Sequence, residues 1–427
     1  MGYLLARTNI YTYLVIVLFL KKSIILGQNT PIVNVKDLKK SLGYYEDAYL
    51  NFTELTTKYG FPTEEHKVIT KDGYILSIFR ILSKCKMPQK YPVLLFHGLF
   101  DSSDTWILAG PKNGLGYLLA NNCYDVWAAN HRGNNYSRKH LKLDPDKDLD
   151  YWNFSFDEHA NFDLPAIIDY ILIATDKTKV NYLGHSQGTT VFFAMASQKL
   201  EYYDKIQLSI NFAPVVWMGN VKTPAVRALS PRSRELKDIF DSLGFKELLA
   251  KHRLVHGVSE FLCQFAPVPI CAVALYAATG YVKGISPRTM AIAFGHIPSG
   301  TSTKSFVHYG QMIVSHKFRR YDEGLEGNFK RYNSPTPPEY NVSSITTPVV
   351  LLCGKNDWLS SLDDVDILNS KLPNVVDYYV IPDPIWSHNN HLWGINAPVL
   401  EFPKILYKDN KVVYKVLLNS YSSLIKQ

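Results

Sequence analysis

Apolar and polar residues alternate from His66 to Leu82 around Asp72-Gly73, which predicts two strands joined by a turn. Short apolar runs follow at Val93 to Phe96, Val126 to Ala129, Val180 to Leu183, Leu208 to Phe212, Val349 to Cys353 and Val375 to Ile381. Each has strand length, and several end in Gly, Asn or Pro. Helical patterns lie between them. Leu164, Ile167, Ile168, Ile171 and Leu172 follow the i, i+3, i+4, i+7, i+8 rule, and Thr189 to Leu200 predicts a further helix. Strands alternating with helices point to an α/β fold with a mostly parallel, doubly wound sheet.

The alternation stops after Pro214 and resumes at Thr347. Residues 216–345 carry helical patterns and loops, which predicts a mainly helical cap inserted between two late strands. The core is then expected at 28–215 and 346–427. Ser334-Pro335-Thr336-Pro337-Pro338 reads as the linker that returns the chain to the sheet.

The first residues have a different pattern. Arg7 precedes an apolar run from Ile10 to Leu20, shorter than the ~20 residues that span a bilayer. Lys21 and Lys22 follow, and a small residue, Gly27, comes soon after. This predicts a secretory signal over residues 1–27 and no stable transmembrane span. Secretion is the expected destination, with lysosomal delivery as the alternative, since both begin with the same signal. N-x-S/T sequons at Asn51, Asn135, Asn153 and Asn341 agree with passage through the secretory route.

Composition narrows the class. The 427 residues are 46% apolar and 20% charged, which excludes a disordered chain and provides for a large core. The net charge is +8, yet no run of basic residues exceeds three, so a nucleic-acid partner is not expected. Five cysteines are too few for a disulfide scaffold, and the odd count leaves at least one thiol without an intramolecular partner. The 28 tyrosines and 21 phenylalanines suit a core or an apolar ligand site better than a charged one.

Gly184-His185-Ser186-Gln187-Gly188 follows an apolar run and precedes a helical pattern. That context predicts a sharp strand-to-helix turn that presents the Ser186 hydroxyl as a nucleophile. A serine needs a base to take its proton, and the base needs an orienting acid. The chain order for such a turn is serine, acid, histidine. Asp357, after Val349 to Cys353, is the candidate acid. Asp363, Asp364 and Asp366 lie at an expected helix start, where a carboxylate serves as a cap or dipole partner. His388 and His391 both fit the base. Two backbone donors would hold an oxyanion: the Gln187 amide, and the Leu99 amide after His97-Gly98. No H-E-x-x-H, Walker A or strand-anchored G-x-G-x-x-G motif is present, so neither metal nor organic cofactor is expected.

These residues belong to a longer series. It comprises His97-Gly98-Leu99 with Asp101 to Trp106, Asn130 to Arg138, Trp152 to Glu158, Asp163 to Ala166, Gly184 to Gly188, Pro298 to Ser302, His308 to Gln311, Tyr321-Asp322 and Tyr340 to Val342. In order and spacing, from about residue 42 to 407, the chain resembles the acid lipase family of gastric, lysosomal and insect lipases. The resemblance implies an α/β-hydrolase core with a mobile cap, acting on fatty-acyl esters at an oil–water or membrane interface. It implies a Ser186, Asp357, His388 triad and a Cys263–Cys271 disulfide. In such a mobile cap, the apolar stretch with Phe245, Phe261, Phe265 and Val268 is expected to form a lid at about 245–280, facing the pocket when closed and lipid when open. The family usually carries His-Leu-Asp-Phe at its base. Here the stretch is His388-Asn389-Asn390-His391, with Asn390 in place of the aspartate, so an acid pH optimum is not implied. Two other readings are an esterase for soluble short-chain esters and a non-catalytic lipid-binding protein on the same fold.

Overall fold

The structure, a computed structural model, describes residues 35–406 except Met87 and residues 250–253. The expected signal segment lies outside the described residues. The centre is a nine-stranded sheet. Its strands are β1 (Thr63–Ile69), β2 (Tyr74–Ile81), β3 (Val93–Phe96), β4 (Val126–Ala129), β5 (Lys139–His140), β6 (Val180–His185), β7 (Ile206–Phe212), β10 (Val349–Cys353) and β11 (Val375–Val380). The order is β1-β2-β4-β3-β6-β7-β10-β11, with β5 paired to β2. From β4 to β11 all neighbours are parallel, whereas β1 and β2 form the expected antiparallel hairpin at one edge.

Period-two geometry explains why the short apolar runs became strands. Leu94 and Phe96 face one core layer with Trp127, Ala129, Val180 and Tyr182. Val93 and Leu95 face the other with Val126, Ala128, Leu183 and Leu352. A strand covered on both faces cannot alternate with polar residues, so its sequence reads as a continuous apolar run. The helix Leu164–Thr175 covers the first layer with Leu164, Ile167, Ile168 and Ile171, and stops at Asp176 in a left-handed conformation.

One expected helix is shorter than its pattern. The stretch Thr189 to Leu200 forms Gln187–Ala196, then a separate 3-10 turn at Leu200–Lys205. The Ser197 hydroxyl and the Gln198 side-chain amide both donate to the Ala194 carbonyl, at 3.0 and 2.8 Å. These bonds satisfy the helix end locally and compete with another turn.

Between β7 and β10 the chain adds nothing to the central sheet. It forms helices at Pro224–Leu229, Ser233–Ser242, Leu254–Phe265, Val273–Thr279, Pro287–Phe294, Thr303–Ser315 and Leu325–Tyr332. It also holds a small ladder that the sequence pattern did not suggest, in which β8 (Glu247–Leu248) pairs with β9 (Thr301–Ser302). The stretch Trp152 to Glu158 seats this insertion. Buried Asp157 accepts the Tyr340 hydroxyl and the Tyr321 N–H, while His308 stacks on Phe156 with ring centres 3.8 Å apart. Asp364 accepts two N–H groups of Asn220, so it ties the insertion to the core rather than capping its own helix.

Two disulfides are present, Cys263–Cys271 and Cys85–Cys123, and Cys353 is a buried free thiol. The second bridge was not legible in the sequence. It joins the chain just beyond Ile81 to the chain just before Val126, and these two residues are paired across β2 and β4.

A very tight backbone contact lies where β6 turns into its helix. A Cβ on Gly188 would sit 2.2 Å from the Phe96 carbonyl oxygen, and one on Gly184 would sit 2.9 Å from the Gly188 carbonyl carbon. Neither neighbour is a side chain that can swing away. Gly188→Ala is therefore expected to cost about 3 kcal/mol, read as a fall in denaturation midpoint. A variant as stable as wild type would show that β3 and β6 can separate.

Candidate active site

Ser186 occupies the residue between β6 and the helix Gln187–Ala196, with φ 53° and ψ −118°. A non-glycine residue at such a φ costs roughly 1–3 kcal/mol and persists only where its surroundings impose it. The glycines on either side allow the close approach described above. Gly98 does the same from the opposing loop, since a Cβ there would lie 3.2 Å from the Ser186 Cβ. The Leu99 segment is thus laid directly against the serine. Gln187 is the first residue of its helix, so its N–H has no carbonyl within the helix to bond.

Asp357 follows β10 and His388 follows β11. Asp357 is buried, and its carboxylate is fully used. One oxygen accepts the Leu359 and Ser360 N–H groups at 2.9 and 2.8 Å, and the other takes Nδ1 of His388 at 2.8 Å. The two loops are locked to one another. The Asn356 N–H donates to the Trp386 carbonyl at 3.0 Å, and a Cβ on Gly354 would meet that same oxygen at 2.4 Å. His185, just before the serine, donates from Nε2 to the His388 carbonyl at 3.0 Å. Burial and the neighbouring His388 hold the His185 pKa well below the ordinary value, so it is a neutral spacer between the serine turn and the histidine loop.

Ser186, His388, Gly98 and Leu99 line one cavity of about 400 Å³. Its remaining wall is mainly apolar. Leu249, Leu275, Phe306 and Tyr309 come from the insertion, and Leu359 and Trp393 from the core. Buried Asp101 also lines it, a group that the sequence pattern did not single out, and burial pushes its carboxyl up to about 7.

The other candidates fall elsewhere. His391 is fully buried in the core, with Nδ1 bonded to Glu401 at 2.5 Å, and does not line the cavity. Asn390 donates to the Lys283 carbonyl at 2.7 Å and accepts the Ser387 hydroxyl at 2.6 Å, so it ties the histidine loop to the insertion. A carboxylate could not make the first of these bonds. Asn51, Asn135, Asn153 and Asn341 are all exposed. Among the described residues no helix is long and apolar enough to cross a membrane, and no group of three or more His, Cys, Asp or Glu could hold a metal ion.

This strand order, with a strained serine at the β6 turn, defines an α/β hydrolase. The sequence agrees. Residues 91–208 match the alpha/beta hydrolase fold family, and residues 52–110 match the partial alpha/beta-hydrolase lipase region. Human lipase member M is 36% identical over 368 residues, covering 84% of this chain and 86% of that protein. Bovine gastric triacylglycerol lipase is 37% identical over 82% of this chain and 89% of its own. Lysosomal acid lipase/cholesteryl ester hydrolase of Macaca fascicularis is 34% identical over 84% and 90%. The chain belongs to the acid lipase family of α/β hydrolases, and it is an ester hydrolase.

Several histidines around the serine turn are buried without a carboxylate. Burial lowers His131 to about 4, and holds His97 and His159 well below the ordinary value near 6.5. His159 has no hydrogen-bond partner on either ring nitrogen. A ring whose folded pKa is depressed favours the fold above pH 6.5. As pH falls below that, the unfolded chain takes up the proton first and stability is lost. Buried carboxyls such as Asp101 work in the opposite direction, so one site is isolated best by difference. The stability of His159→Phe minus that of wild type is expected to grow by about 1.4 kcal/mol per pH unit below 6.5. Chemical denaturation at pH 7.5, 6 and 5 measures it, and a difference independent of pH would show that His159 titrates in the fold as it does in the unfolded chain.

Proposed function

We propose that the protein is a serine lipase that hydrolyses fatty-acyl esters, triacylglycerols foremost, through an acyl-enzyme. The observation that carries this reading is one apolar cavity bordered by Ser186, by His388 on its Asp357 carboxylate, and by the Gly98-Leu99 loop. Holding Nδ1 of His388 on Asp357 reserves Nε2 for the serine proton. Ser186 Oγ then attacks the ester carbonyl while His388 takes its proton, and Asp357 steadies the cationic ring. The Leu99 and Gln187 amides receive the negative charge that builds on the carbonyl oxygen. The alcohol leaves with the proton from His388. Water, deprotonated by the same ring, releases the fatty acid.

Residues 216–345 act in this reading as a cap, and about 245–280 as its lid. The lid region has two apolar faces. Leu249, Ala274, Leu275 and Ala278 line the cavity. Phe261, Phe265, Val268 and Val273 are between 49% and 58% exposed. A monomer in water gains nothing from such an outer face, whereas a lipid surface would cover it. The Cys263–Cys271 bridge closes the bend between two parts of this lid. The two disulfides and the four exposed sequons suit secretion, with delivery to lysosomes as the alternative.

Release of fatty acid from emulsified trioleoylglycerol and cholesteryl oleate, between pH 4 and 8, tests the chemistry. Wild type is expected to be active and Ser186→Ala to lose at least about 10³-fold. Activity confined to soluble short-chain esters would turn the reading to an esterase, and a folded but silent protein would favour a lipid carrier. The lid is tested by Phe261→Asp with Phe265→Asp. Removing two aromatic rings from a lipid contact is expected to lower the rate on emulsions by about 10-fold or more. Hydrolysis of a soluble butyrate ester should change by less than about 3-fold in the same protein. Equal losses on both substrates would remove the interfacial role.

A further inference from the structure

Beside the serine turn, three imidazoles form a buried row. His97 and His131 have ring centres 4.1 Å apart, and His131 and His159 4.4 Å. The row contacts the residues that carry both proposed oxyanion donors, through the Gly98 carbonyl and the Gln187 side chain. Nδ1 of His97 lies 2.9 Å from the carbonyl oxygen of Gly98, which belongs to the same peptide unit as the Leu99 N–H. Nε2 of His131 lies 3.1 Å from the side-chain nitrogen of Gln187.

The surrounding groups fix both tautomers. The Asn134 side-chain oxygen accepts the Tyr136 and Ser137 N–H groups at 3.1 and 3.0 Å, so its nitrogen must face His97 Nε2, at 3.0 Å. That nitrogen of His97 is therefore an acceptor, and the proton sits on Nδ1, donated to Gly98. Nδ1 of His131 faces the Arg132 carbonyl at 3.2 Å, which can only accept. The His131 proton is thus on Nδ1 as well, and its bare Nε2 receives the Gln187 amide. Burial keeps both rings neutral, as these bonds require.

We propose that His131 is a positioning residue for the oxyanion site: it holds the Gln187 side chain directly and braces the His97 ring that orients the Gly98–Leu99 peptide. This rests on the reading of Ser186 as the nucleophile. The row works because an oxyanion donor contributes most when its direction is set before charge develops. Gln187 is the buried first residue of a helix, and Leu99 lies in a loop. One close pair of rings, His97 and His131, tilted by 39°, couples them, although the two donors lie 88 residues apart in the chain.

The test uses the full-length protein and p-nitrophenyl butyrate, a soluble ester that needs no interface. His131→Phe keeps a flat ring in the stack and removes the acceptor. It is expected to lower kcat by about 10- to 100-fold with KM changed by less than about 2-fold. His131→Gln can return an acceptor oxygen to the Nε2 position and is expected to recover kcat to within about 5-fold of wild type. Gln187→Met should reproduce the loss, and adding it to His131→Phe should lower kcat no further. Unchanged kcat in His131→Phe, equal loss in the Phe and Gln variants, or additive losses in the double variant would each overturn the proposal. If His131→Phe does not fold, Gln187→Met decides alone, and wild-type kcat there overturns it. A wild type that cleaves no ester fails the nucleophile reading itself, an outcome distinct from an active wild type indifferent to His131.

Discussion

A serine held at φ 53° is the condition on which the rest of the site depends. The left-handed turn is unfavourable for any residue with a Cβ, and it survives because the chain on each side has nowhere else to go. Gly188 lies against the Phe96 carbonyl and Gly184 against Gly188. β3 and β6 are adjacent, parallel and in register, with Phe96 opposite Gly184. The sheet therefore delivers two things to one point: the end of β6, which raises Ser186, and the end of β3, which begins the Gly98-Leu99 loop. Parallel pairing places both at the carboxyl edge, where a large α/β fold has its crevice.

The other participants arrive by the same logic. β10 and β11 are neighbours, so the loops that follow them, carrying Asp357 and His388, meet without crossing the sheet. Their backbones touch at Gly354 and Trp386, so the acid and the histidine behave as one rigid part. Around them the interior is polar but almost uncharged. His97, His131, His159 and His185 are buried as neutral rings, with Asn130 and Asn134 between them and the sheet edge. Neutral donors and acceptors can fix direction without the large cost of burying charge. Arg132 carries a buried charge nearby. Its guanidinium is balanced by Asp72 and Asp163, which bind the hairpin turn and a helix start to the loop after β4.

Much of this was legible in the sequence, and the limits follow physical lines. Six apolar runs read as strands and all six lie in the sheet, most of them because burial on both faces excludes alternation; the last is the half-exposed edge strand β11. The serine turn was legible because glycines on both sides of Ser186 have few other uses at a strand-to-helix junction. Chain order placed Asp357 just beyond β10, where it meets a histidine, but did not say which one: His388 and His391 sit three residues apart in one loop. They are separated only by a short helix, Asn390–Trp393, that turns His391 inward to Glu401. The end of the helix at Ala196 was missed because side chains of Ser197 and Gln198 turned back on it.

By itself the sequence determined the local and periodic features of this protein. It carried the strand runs, the long insertion after Pro214, the glycines of the serine turn and the series of motifs that mark the family. Each depends on neighbours within a few residues, or on a pattern repeated along the chain. Only the tertiary structure decided what depends on which strands lie side by side. Cys85 found Cys123 because β2 pairs with β4. His388 rather than His391 reached the cavity, and His131 and His159, unremarkable in their motifs, joined His97 in one buried row. Such contacts join residues tens to hundreds of positions apart, and no local spacing encodes them. They follow from the order of strands in the sheet, and that order is fixed only when the whole core packs.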